Sequence, residues 1–367
     1  MRRALGMHEL LVGVAVLALF GALLFFSPRL YGYSLMEDLP PEWFQFFCLA
    51  AAAWWWGKAA VGRWNKGWAG FLFCCALAAL SAFVAGEEIS WGHRVFGYET
   101  PAYFAYRNVQ NEPTLHNLAR QLVEPRGAAI AVMLGYGIVL PLLTWGIRPF
   151  GRWARRANVP VPNPGTAVVF ALAIWLMGMP FTATDDEVGE GFFALGLLFA
   201  AFTAAGGVSG SSLLRRVGTL VAVSLVTSAF CFLRPAHREQ VFNVGHLQAA
   251  QAYEGLGMRW EAAREYESLA RYWQTDWELW VKVINLSYEA GDLKKAFDLS
   301  AEFITINKRM WRPFEVMAEI GRIWGIEDEV RRRIRDVLID EPYNDYARWA
   351  LLILEGRRPF YGEEVKR

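Results

Sequence analysis

Neither charge sign prevails in this sequence: 37 lysines and arginines face 36 aspartates and glutamates, for a net charge of +1. Such a balance makes no long-range field that would draw the chain onto nucleic acid or another polyanion. Cysteine is scarce, and all four, Cys48, Cys74, Cys75 and Cys231, lie inside apolar runs. They read as small buried hydrophobes, which excludes a disulfide framework or a thiolate metal site and leaves the redox compartment unread. No H-E-x-x-H zinc motif occurs, and the Gly206–Gly210 turn follows no strand, so it is no phosphate loop.

Apolar residues are what the chain has in plenty. Hydrophobic residues make up 54% of it, and its mean hydropathy is +0.20. That is too apolar for an ordinary soluble enzyme, yet one fifth of the residues are charged, which implies two regions in two solvents. Up to about Leu233 the chain runs as apolar stretches broken by short polar loops; beyond Arg234-Pro235 no long apolar run survives. The expected division is therefore a transmembrane helical bundle over 1–233 and a helical domain over 234–367.

A bilayer core of roughly 30 Å takes about 20 apolar residues of helix. Seven spans are expected, at 9–26, 44–61, 69–86, 127–146, 166–182, 191–205 and 217–233, with Pro141 and Pro180 introducing kinks. The first is followed by Ser27-Pro28-Arg29, without a small-x-small cleavage site, and so reads as an uncleaved span. Lysine and arginine gather in alternate loops: Arg2 and Arg3; Lys58, Arg63 and Lys66; Arg148, Arg152, Arg155 and Arg156; Arg215 and Arg216. Glu37, Asp38 and Glu42, Glu87 and Glu88, and Asp185, Asp186 and Glu187 occupy the others. By the positive-inside rule the N-terminus is cytoplasmic and the C-terminal domain extracytoplasmic. The setting is then a cell membrane, with a bacterial inner membrane the expected one. Trp43 and Trp54-Trp55-Trp56 suit an interfacial aromatic belt or bundle packing.

The C-terminal domain is periodic. Gly257, Gly291 and Gly325 stand 34 residues apart, each followed five residues later by Ala262, Ala296 or Val330. Ala250 and Tyr253, Trp280, and Phe314 and Ala318 align upstream, and the third copy ends at Pro342. These positions resemble the tetratricopeptide repeat over about 243–344, with 346–355 as a closing helix; Ser287, Ser300 and Ile334 depart from its aromatic pattern. The resemblance implies stacked helix pairs with a concave groove that takes a protein or peptide ligand. A rigid spacer or a lid is the plainer alternative, and Arg331-Arg332-Arg333 with Arg335 reads as a solvated face.

Unusual chemistry collects in the outer loops. If the helix continues past Glu88, then Glu87, Ser90, Trp91 and Arg94 share a face. His116 and Arg120 lie one turn apart on an amphipathic segment within 113–124, and Asp186 and Glu190 one turn apart entering span six. The topology places these groups at one membrane surface. Carboxylates and imidazoles ligate zinc or a similar divalent ion, which can activate water. One reading is thus a metal site with Glu88, His116, Asp186 and Glu190 as ligands and Glu87, Glu88, His93 and His116 as catalytic candidates. The plainer reading is structural: Thr184 with Glu187 makes a capping box, and Glu87 and Glu88 pair with Arg94 and Arg120.

Glu87-Glu88-Ile89-Ser90-Trp91-Gly92-His93-Arg94, followed by Leu115-His116-Asn117, resembles a signature of an uncharacterised family of bacterial polytopic membrane proteins, which implies no activity. The paired His-x-x-x-His of ceramidase-like intramembrane hydrolases is absent. The sequence thus points to an all-α chain, a bundle of about seven transmembrane helices followed by a tetratricopeptide-like solenoid. Three functions stay open: an envelope scaffold whose repeats bind a protein or peptide; a metal-dependent hydrolase or transferase acting on a lipid or lipid-linked substrate; and a transporter. Membrane lipids are expected partners and nucleic acid is not.

Overall fold

A computed structural model of the chain describes residues 5–36, 38–96, 98–105, 113–115, 124–178, 182, 185–233, 235–273 and 276–357. Its regular structure among these residues is helical throughout. The chain divides into two compact units, residues 1–242 and 243–367.

The first unit contains α1 (Leu5–Phe26), α2 (Pro28–Ser34), α3 (Pro40–Val61), α4 (Trp68–Glu88), α5 (Pro125–Gly146), α6 (Arg148–Arg156), α7 (Pro164–Gly178), α8 (Asp185–Ala204) and α9 (Gly210–Cys231). Five of them, α1, α4, α5, α8 and α9, are long and apolar enough to cross a membrane. The other two helices at expected spans differ in kind. Helix α3 has 22 residues but carries four tryptophans and the polar Gln45, while α7 has only 15 residues, short for a bilayer core.

Prolines start several of these helices, where a missing N–H is no loss: Pro28 opens α2, Pro40 and Pro41 open α3, and Pro125 opens α5 behind Glu124, which accepts from Gly127 N–H at 2.6 Å. Helix α5 widens into a π-turn over Met133–Val139 just before Pro141. The ring nitrogen of Pro141 cannot donate to the preceding turn, and the wider turn accommodates that loss without ending the helix.

Helix α8 lies at the centre. In its apolar window 78% of residues are buried, against 22–28% in the other four long helices. Small residues allow this close packing. Phe170 of α7 sits between Gly137 of α5 and Gly196 of α8, where added Cβ atoms would stand 2.5 and 2.6 Å from its ring. Helix α3 packs against α4, α8 and α9, burying Cys48, Leu49, Ala52 and Trp56. Arg63 fastens three segments near one end: its Nη1 donates to the carbonyls of Ala59 (3.0 Å) and Ala204 (2.9 Å), and its Nε to that of Asn158 (3.1 Å).

The second unit is a row of helix pairs. Helix α10 (Pro235–Gly255) runs into it and is followed by α11 (Arg259–Tyr272), α12 (Trp277–Glu289), α13 (Leu293–Ile306), α14 (Trp311–Trp324), α15 (Glu327–Asp340) and α16 (Asp345–Leu354). Gly257, Gly291 and Gly325 take φ of +73°, +79° and +69° in the turns between α10 and α11, α12 and α13, and α14 and α15. This left-handed conformation costs a side chain, so glycine recurs at the same point of each pair. Asp276, Asp292 and Asn344 cap α12, α13 and α16. Alternate helices touch as well as successive ones: α12 meets α14, α13 meets α15, and α14 meets α16. That contact pattern is a stack, with Ala262, Ala296 and Val330 buried where the helices of each pair approach.

Candidate functional site

In the first unit the carboxylates at the end of α4 and the start of α8 sort into two groups with different chemistry. Helix α4 stops at Glu88, and Ser90, Trp91 and Gly92 follow with φ of +47°, +54° and +87°. The face expected from a continuing helix therefore does not form. Trp91 instead folds back so that its Nε1 donates to Glu87 Oε1, and the same oxygen accepts from the backbone N–H of Leu115 at 3.1 Å. Glu87 is buried and holds residues 113–115 against the end of α4; that is a fastening role. His93 is engaged nearby, its Nε2 3.2 Å from Thr100 Oγ1 and its ring edge-on to Tyr98 at 5.2 Å. His116, Arg120 and Thr184 lie outside the described residues.

The second group surrounds the start of α8. Glu187 has Glu190, Glu88, Glu42 and Asp186 as charged neighbours, so Glu88, Asp186 and Glu190 do come to one region. Arg126 answers part of this negative charge, with Nη1 3.8 Å from Asp186 Oδ2 and Nη2 donating to the Met177 carbonyl. Gln45, buried in α3, donates from Nε2 to the Glu187 carbonyl at 2.9 Å, while its Oε1 has no hydrogen-bond partner among the described residues. Among the described residues no group of three or more His, Cys, Asp or Glu side chains is disposed around one metal position.

Asp185 is the residue that the sequence did not single out. Its carboxylate, buried to 2% exposure, accepts from Tyr31 Oη at 2.5 Å, Thr182 Oγ1 at 2.7 Å and Thr182 N–H at 2.8 Å. It ties α2 to the entry of α8. Tyr31 lies 154 residues away, a distance that no spacing rule reveals. Glu9 is a second buried carboxylate of this kind, in α1, where Asn163 Nδ2 donates to it at 2.8 Å.

In the second unit the first helix of each pair presents a half-buried polar row. On α12 it comprises Lys282, Asn285 and Tyr288; on α14, Arg312, Glu315 and Glu319; on α10, Gln251 and Glu254. The row is linked from helix to helix. Lys282 Nζ reaches Glu254 Oε1 at 2.6 Å, and Arg312 Nε donates to Asn285 Oδ1 at 2.6 Å. Tyr288 bonds to Glu319, and burial together with that carboxylate raises its hydroxyl pKa. Arg312 also pairs with Glu315 and lies 5.6 Å from the centre of the Tyr288 ring. Side chains that interlock yet stay open to water form a pre-positioned surface of donors and acceptors.

Comparison with known proteins adds no relative: no family model, curated protein or solved structure matches this chain.

Proposed function

We propose that the chain is a multi-pass membrane protein of the cell envelope whose tetratricopeptide-like repeats bind a protein or peptide partner along the row on α10, α12 and α14. The observation that carries this reading is the half-buried polar row itself, continuous over three successive pairs through Glu254–Lys282, Asn285–Arg312 and Tyr288–Glu319. An extended peptide offers backbone donors and acceptors at regular intervals, and a pre-ordered row meets them with little side-chain entropy left to lose. The five long apolar helices support membrane insertion. With α3 and α7 counted as spans, the lysine and arginine distribution supports a cytoplasmic N-terminus and repeats outside.

The test is co-purification of the full-length chain from membranes. A stoichiometric partner should be retained by wild type and Arg332→Ala, and weakened more than ~10-fold by Asn285→Ala with Arg312→Ala, given the usual weight of a central arginine. Equal retention by all three would end the proposal.

A second reading is favoured by the carboxylates around Glu187: a divalent-cation site there, serving a hydrolase or transferase for a lipid-type substrate. Protein purified without chelator would then carry about one metal ion per chain. Glu88→Gln, His116→Ala or Asp186→Asn would lower that content. No stoichiometric metal in folded protein removes this reading.

A further inference from the structure

We propose that α6 and the loop joining α3 to α4 form a binding surface for the phosphate headgroups of anionic lipids; this rests on the membrane-spanning reading above. Helix α6 has three flanks. Arg148, Arg152, Arg155 and Arg156 fall at i, i+4, i+7 and i+8, so all four project within one narrow arc, and all are exposed. Phe150 and Trp153, at i and i+3, make an aromatic flank, their rings 5.2 Å apart and Trp153 53% exposed. Gly151 and Ala154 make the third flank, buried against α5, where a Cβ on Gly151 would stand 2.5 Å from the Thr144 carbonyl.

That division suits a helix lying in the interface, with aromatic rings toward acyl chains and guanidinium groups at headgroup level. Its position is fixed at the far end. Asn158, at φ +56°, turns the chain out of α6, its carbonyl is held by Arg63, and Gly70 of α4 packs against it. The neighbouring loop adds exposed Trp64 and Lys66, flanked by exposed Lys58 in the last turn of α3 and Trp68 at the start of α4.

Among the described residues no carboxylate is paired with this charge. No acidic residue occurs between Glu42 and Glu87 or between Glu124 and Asp185. None of the four α6 arginines pairs with a carboxylate among the described residues. Guanidinium groups match phosphate oxygens as forked donors, and juxtamembrane basic residues gain affinity specifically from anionic lipid. A loop whose charge only set orientation would need neither the common arc nor the aromatic flank.

The test uses the full chain in detergent micelles doped with phosphatidylglycerol or phosphatidylcholine, reading bound lipid by native mass spectrometry and the thermal midpoint. Wild type should bind phosphatidylglycerol preferentially and be stabilised by it. Arg152→Gln/Arg155→Gln/Arg156→Gln should lose on the order of 100-fold in that affinity, while the charge-matched control Arg331→Gln/Arg332→Gln/Arg335→Gln keeps it. Arg152→Gln alone should lose about fivefold, which keeps the test open where the triple variant fails to fold. No lipid preference in wild type, or an undiminished one in Arg152→Gln or the triple variant, overturns the proposal. Release of the wild-type protein from membranes by carbonate would instead sink the spanning reading, and the two failures are distinguishable.

Discussion

Single side chains do their work here by tying together parts of the chain that are far apart in sequence. Arg63 closes carbonyls on three segments that no other cation reaches among the described residues. Arg63→Ala should cost about 1–3 kcal/mol, because half-buried carbonyls lose charged donors; chemical unfolding in detergent reads it. Arg63→Lys should recover only part, since an ammonium lacks the planar fork. Glu267 in the repeat unit gives a pH prediction. Burial opposes its ionisation, but hydrogen bonds and charges from Lys295 and Arg271 outweigh that and hold its carboxyl below the ordinary 4.5. A depressed folded-state value stabilises the protein above about pH 4.5, and that contribution fades as pH falls through the folded value. The unfolding midpoint of the repeat unit should drop on acidification below that point, and Glu267→Gln should flatten the drop.

Glycines decide where helices end and how closely they pack, so elements respond to them in opposite ways. Gly325→Ala forces a side chain into φ +69° and should cost about 1–2 kcal/mol. Gly196→Ala meets the Phe170 ring and should cost about 1–3 kcal/mol through overpacking, whereas Gly135→Ala meets nothing and should be neutral or slightly stabilising. Thermal midpoints of the three variants check the order. The first kind of glycine was legible in the sequence, because a left-handed turn repeated every 34 residues leaves a visible period. Packing glycines leave none. Nor did hydropathy find the start of α8: Asp185, Asp186, Glu187, Gly189 and Glu190 depress it, though acids are favourable in a first helical turn. The helix thus begins six residues before the expected span and proves the most buried of the long ones. The Tyr31–Asp185 bond was invisible for a different reason, since it joins residues 154 apart.

At the scale of the whole molecule, composition leads one to expect two regions in two solvents; the chain divides into two compact units after residue 242, one with five long apolar helices and one with a core of its own. The uneven spread of charge carried that information, because apolar runs and charged helices cannot share one solvent. The direction of activity was less legible, because a carboxylate that could do chemistry can equally hold segments together: Glu87 accepts from Leu115 N–H and Asp185 from Thr182 N–H. The proposed role of the row on α10, α12 and α14 is to receive a partner. The most direct measurement places a photo-crosslinking side chain in the full-length protein in intact cells, at Asn285, Arg312 or Glu319 and, for contrast, at exposed Arg264 or Arg332. The account predicts one discrete adduct from the first three positions and none from the other two. Equal adducts from all five, or none from Asn285, Arg312 and Glu319, would contradict it.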